Sequence, residues 1–267
     1  MNNLINKIVN LKDRIDASPF SIIQTKFFKS KSDVSDFFTF RLDEYETIFI
    51  AENSLALLTA ETLNCHHVFH FFDENGSPCG IHKVESEDFH YKLPIDVKMT
   101  GGNKFGGFTH HVRYSEELLQ KYQELLDDLV FQHRGYSGFR KDVNSGYSYV
   151  HGNFGGICLD NKQNIRSFAR IRERHTFSPQ FIIKPNYRYD LIFSNPVDKE
   201  MRIKFILIDG DSIQILKEAR LNAYATYKLV LDRPIISNCN IAWETNLPVG
   251  RCVIFEYNNE FFDVFHS

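Results

Sequence analysis

The chain echoes itself, and that echo limits what it can fold into more than any other feature. Val68–Ile95 (VFHFFDENGSPCGIHKVESEDFHYKLPI) and Lys204–Leu231 (KFILIDGDSIQILKEARLNAYATYKLVL) each hold an apolar strand, an Asp-led turn and a closing Tyr-Lys-Leu. Asp73 lies 18 residues before Tyr91, and Asp209 lies 18 before Tyr227. Tyr45 and Asn53 precede the first copy as Tyr187 and Asn195 precede the second, both pairs 8 residues apart. Past the copies, Gly107–Tyr114 reads as the answer to Gly250–Tyr257. Self-similarity over about 70 residues implies one supersecondary unit used twice.

The unit is a β unit. The chain has 25 Phe and 12 Tyr against a single Trp, a bias toward residues that suit pleated, half-buried strands. Short apolar runs bounded by polar turns recur along it, among them the hairpin chemistry of Asp73-Glu74-Asn75-Gly76, and no alternation of strand and helix suggests a nucleotide-binding α/β sheet. The expected fold is therefore mainly β: two related antiparallel β-sandwich or jelly-roll-like lobes from an internal duplication. At 267 residues each lobe can bury its own core. The expected division is an N-terminal helix and lead-in over 1–35, a first lobe over 36–114, a linking helix over 115–132, and a central basic loop with the second lobe over 133–267.

Within that frame, Leu4, Ile5, Ile8, Leu11 and Ile15 predict a short amphipathic helix over Asn2–Ile15. Ser115, as N-cap to Glu116 and Glu117, begins a helix predicted to run to about Phe131 and to bridge the lobes. Leu55–Thr59 reads as a strand. His133–Gly156 reads as a long loop on its Gly, Ser and Asn density, and long loops are often functional.

Charge is uneven. Arg41–Thr100 carries 4 basic residues against 11 acidic ones, whereas His133–His175 carries 8 basic against 3 acidic. The net charge of −3 argues against a nucleic-acid coat, and the basic middle suggests a surface for an anionic group. The five cysteines are odd in number and scattered, with no zinc-ribbon spacing; no run approaches the roughly 18 apolar residues of a membrane span, and the N-terminus lacks a signal-peptide core. A reduced, cytoplasmic protein with no membrane or nucleic-acid partner is expected.

Three functional readings follow. In the first, the protein binds an anionic small molecule or glycan through Arg134, Arg140, Tyr147, Tyr149, His151 and Asn153, since Arg supplies a planar fork and Tyr a flat ring with a hydroxyl. Tyr147, Tyr149 and His151 are alternate residues and would share one strand face. In the second, it is an enzyme that uses a divalent metal held by histidines of the first lobe, with His66, His70, His110 and His111 as ligands. In the third, it is a structural or assembly subunit that forms a homo-oligomer. The chain has no Gly-x-Ser-x-Gly elbow and no phosphate-binding loop, so enzyme activity has no fingerprint behind it.

Overall fold

The structure is a computed structural model that describes residues 32–128, 132–159, 164–167, 175–179, 181–196, 200–231, 238–246, 251–259 and 261–266. The helix expected over Asn2–Ile15 lies outside them.

The first lobe runs β1 (Ser32–Arg41), β2 (Glu46–Glu52), helix α1 (Ser54–Thr59), β3 (Cys65–Asp73), β4 (Pro78–Ser86), β5 (His90–Ile95), β6 (Phe105–Arg113), helices α2 (Glu116–Lys121) and α3 (Gln123–Asp128), β7 (Gln132–His133), β8 (Gly135–Arg140) and β9 (Ser148–His151). Strands β10 (Asn153–Leu159) and β11 (Asn164–Ser167) lead out of it. The second lobe comprises β12 (His175–Phe177), β13 (Arg188–Ser194), β14 (Met201–Asp209), β15 (Ser212–Leu221), β16 (Thr226–Leu231), β17 (Asn240–Thr245), β18 (Cys252–Tyr257) and β19 (Phe262–His266).

Each lobe is a pair of antiparallel sheets in the same strand order. In the first, sheet A is β1-β6-β3-β4 and sheet B is β5-β2-β8-β9. In the second, sheet C is β12-β17-β14-β15 and sheet D is β16-β13-β18-β19. β10 and β11 extend sheet A past β1, and β7 joins β1 in parallel, which makes that sheet seven-stranded. Strand for strand, β14 repeats β3 and β16 repeats β5, so the Asp-led turn and the Tyr-Lys-Leu of the echo mark equivalent positions.

Asn53 and Asn195 show why the echo persists. Each directly follows its strand, is fully buried, and donates its backbone amide to the carbonyl just before the partner strand, Phe89 O at 3.0 Å and Ala225 O at 2.8 Å. Their side chains also bond the backbone. Asn53 Nδ2 reaches Leu63 O at 2.7 Å, and Asn195 Nδ2 reaches Asn222 O at 2.7 Å. A buried amide left without such partners would cost free energy, so the residue type is constrained in both copies.

Four expectations need correction. Gly107–Tyr114 falls in β6, whose repeat is β17, whereas Gly250–Tyr257 covers β18, the repeat of β8; that outer echo joins non-equivalent strands. Leu55–Thr59 belongs to α1, not a strand, because Asn53 Oδ1 caps it by accepting from Ala56 N at 3.2 Å, and six residues are too few for periodicity to decide. The single helix from Ser115 is two helices broken at Tyr122; Ser115 caps the first as expected, but Leu118, Tyr122 and Leu126 pack on Leu55, Ala56 and Leu63 of the first lobe. Finally, the loop expected over His133–Gly156 is mostly strand. β8 pairs with β2 and β9 with β8, completing the first lobe, which therefore extends to His151.

The first core is phenylalanine packed on phenylalanine, with Phe38, Phe40, Phe49, Phe69, Phe71 and Phe108 all buried. The second centres on Trp243, whose ring meets Phe193 edge-on at 5.0 Å. Alternation along β13 and β18 then buries both faces of sheet D. Leu191, Phe193 and Ile254 face the second core, while Ile192, Val253 and Phe255 join Tyr45, Phe139 and Val150 of the first lobe. The lobes thus share an apolar cluster. It is reinforced by a buried ion pair, Arg41 Nη1 to Asp190 Oδ2 at 2.6 Å. The Asn75-Gly76 turn also seats against the second lobe. Gly76 has φ +87°, and a Cβ there would come within 1.9 Å of Ala223 O.

Candidate functional site

The outward face of sheet B gathers most of the basic and aromatic residues singled out in the sequence. The strand register sets them in rows across the four strands. One row is Lys92, Ile50, Tyr136 and His151, and the next is Pro94, Ile48, Gly138 and Tyr149. Arg140 follows opposite Glu46, with Tyr147 beside it.

Gly138 makes room on this face for a neighbouring ring. A Cβ at that position would stand 2.6 Å from Cε1 of Tyr149 and 2.9 Å from Cγ1 of Ile48, so the tyrosine ring lies across the strand in the space a side chain would fill. Tyr149 remains 46% exposed, and Tyr136 43%. Tyr147 completes the tyrosine platform, its centroid 6.1 Å from that of Tyr149 and its plane tilted by 42° to it.

Arg140 is already engaged. Its Nε donates to Glu46 Oε2 at 2.8 Å, its Nη1 donates to Val143 O at 3.1 Å, and its guanidinium lies 4.7 Å from the Tyr147 centroid. Tyr147 OH donates to the same carboxylate oxygen at 3.1 Å. Arg140 therefore holds Tyr147 in place more than it offers a fork to an anion. A second cation on this face is the exposed Lys92, whose Nζ stands 5.4 Å from the Tyr147 centroid.

The remaining candidates are set apart. His151 shares a row with Tyr136, but its ring packs, tilted by 44°, against that of His266 of the second lobe at 4.3 Å. Asn153 is buried and donates Nδ2 to Arg251 O at 2.9 Å, which braces the lobes. Arg134 is exposed just ahead of β8. Residues 168–174, which hold much of the expected basic surface, lie outside the described residues. Lys92 and Glu46 were missed by sequence reasoning because they come from β5 and β2, far from the basic segment, and only the sheet register joins them to it.

The four histidines proposed as metal ligands do not converge. His110 and His111 are neighbours on β6 and point to opposite faces of sheet A. His110 faces the phenylalanine core beside Phe69, ring centroids 5.0 Å apart, while His111 shares the outward face with His66 and His70. His70 and His111 meet edge-on at 6.0 Å, and His66 is exposed. Among the described residues no group of three or more His, Cys, Asp or Glu is placed to hold a metal ion.

A different histidine contact emerges instead. His67 Nδ1 and His110 Nε2 are 2.8 Å apart, and Cys65 Sγ lies 3.5 Å from His67 Nε2. Burial lowers the His67 pKa to about 4 and pushes the Cys65 thiol up to about 12. His110 is also held well below its ordinary value, by burial first and then by His67 and His111. All three groups are thus neutral near pH 7. A buried thiol with a raised pKa is a poor nucleophile, so this is a hydrogen-bonded part of the core.

Among the described residues no helix is long and apolar enough to cross a membrane. Cys65, Cys79, Cys239 and Cys252 are free thiols. No protein-family model and no curated protein matches the chain. The fold and its site therefore have to speak for function.

Proposed function

We propose that the protein is a glycan-binding module whose ligand lies on the outward face of sheet B. The observation that carries this reading is the platform of Tyr136, Tyr147 and Tyr149, in which the Tyr149 ring lies over Gly138 and Tyr136 and Tyr149 are open to solvent. Exposed tyrosines bring large contact area at low cost in side-chain entropy, and their rings accept the apolar C–H face of a sugar while the hydroxyls bond its rim. Lys92 supplies one outward cation at the platform edge, which favours sugars bearing a carboxylate or sulfate over a densely charged ligand. Arg140 and Glu46 act as positioning groups for Tyr147.

The test is a glycan array probed with the full chain, followed by calorimetry of any hit against wild type and Tyr149→Ala. The module should bind at least one sugar class, and Tyr149→Ala should weaken it by about tenfold or more, equivalent to about 1.4 kcal/mol. An array without hits, or unchanged affinity in the variant, would overturn the assignment.

A further inference from the structure

The outward face of sheet C holds a groove of about 530 Å³ with an unusual charge arrangement. Its floor is built from rows across β17, β14 and β15. In one row Lys204 stands opposite Glu218 on one side and Glu244 on the other, with Lys204 Nζ 3.8 Å from Glu244 Oε2. That row is balanced. In the next, Arg202 stands directly opposite Arg220, and Asn246 Oδ1 accepts from the Arg202 amide at 2.6 Å.

Like charges facing each other across an antiparallel pair are destabilising, since their Cβ atoms are only about 5 Å apart. The duplication supplies an internal control. At the equivalent place in the first lobe, His66 faces Glu85, which also accepts a hydrogen bond from Asn64. The fold therefore does not demand two arginines here. Compensation in the second lobe is slight: Arg202 Nε reaches Glu200 at 3.2 Å with its side chain 65% exposed, and Arg220 has no carboxylate within ion-pair distance among the described residues. Such an exposed pair contributes little.

We propose that this groove is a second binding site, for a phosphate monoester of a small hydroxylated molecule. The paired guanidinium groups would clasp the phosphate oxygens, for which planar forks are well matched. Glu218, Glu244 and Asn246 would take the hydroxyls, and the two carboxylates would turn away extended polyanions. The volume suits a small ligand. The site shares no residue with the tyrosine platform and stands or falls separately from it.

Calorimetric titration of the full chain with glycerol 3-phosphate, inorganic phosphate and glycerol tests it. Glycerol 3-phosphate should bind saturably and more tightly than inorganic phosphate, and glycerol should give no signal. Arg220→Gln should weaken binding by about tenfold or more, whereas Lys98→Gln, on the first lobe, should change it by less than about twofold. Arg220→Glu, which builds the opposite-charge pairing seen in the first lobe, should abolish binding and melt above wild type. Absence of saturable binding up to about 10 mM, unchanged affinity in Arg220→Gln, inorganic phosphate binding as tightly as the ester, or a lower melting temperature for Arg220→Glu would each overturn the proposal.

Discussion

Replacing Asp190 by Ala should loosen the lobes from each other at a measurable cost. Arg41 is 1% exposed and reaches across the interface to Asp190, whose side chain is 5% exposed. Its Nε and Nη2 donate to the two carboxylate oxygens of Asp43 at 3.1 and 2.9 Å, and its guanidinium lies 4.2 Å from the Tyr45 ring centroid and 4.6 Å from that of Phe255. Burial opposes the charge, but Asp43 and Asp190 together raise the Arg41 pKa, so the cation persists inside the interface. Without Asp190 the inner nitrogen has lost its acceptor in a place water does not reach. Breaking a buried pair costs about 3–5 kcal/mol, and the surviving Asp43 places the expected loss near 3. For a chain of this size that lowers the melting temperature by about 6–12 °C. The double variant Arg41→Leu/Asp190→Leu removes the buried pair, leaves the partly exposed Asp43 with Lys228 as its partner at 3.1 Å, and should recover most of the loss. Circular-dichroism melts and urea titrations of the three proteins are the assay. A loss below about 1 kcal/mol, or a double variant no more stable than Asp190→Ala, would refute the reasoning.

Three further outcomes are expected. His67 and His111 are fully buried, and burial lowers their pKa values to about 4 and about 3, so the unfolded chain binds protons that the folded one excludes. Stability is then complete above about pH 6.5 and falls as pH drops toward 4, by up to about 1.4 kcal/mol per unit for each histidine; Asp43, lowered to about 2, loses its contribution only below that window. Urea midpoints from pH 7 to 4.5 should fall less steeply in His111→Leu than in wild type, and parallel slopes would contradict the assignment. Asn53→Ala and Asn195→Ala should each cost about 2–3 kcal/mol in chemical denaturation, the similarity being the point, since the two residues do one job in two lobes. Gly138→Ala should leave the melting temperature within a few degrees of wild type yet displace the Tyr149 ring, detected as loss of glycan binding by the folded variant.

Much of the architecture was legible because duplication writes structural requirements twice. Asn53 and Asn195, and the turn residues Asp73 and Asp209, recur because buried backbone groups and tight turns tolerate few residue types. The histidines differ between the lobes, since β14 carries Arg202 and Ile206 where β3 has His66 and His70. The strand status of His133–Gly156 was hidden by its glycines, which usually mark turns but here include Gly138, present so that a neighbouring ring can lie down. The platform itself was half visible. Alternation placed Tyr147, Tyr149 and His151 on one face, yet nothing local reveals that Glu46 neutralises Arg140, or that Lys92 arrives from another strand. Those are properties of register. Asn153 and His151 have the chemistry of ligand contacts, and the interface between the lobes claims both.

Mapping the bound glycan by amide chemical shifts tests the central claim most directly. With saturating ligand, the largest shifts should cluster at Tyr136, Gly138, Tyr149 and Lys92, with the second lobe undisturbed. Shifts centred elsewhere, or none under saturating conditions, would contradict the tyrosine face as the binding surface.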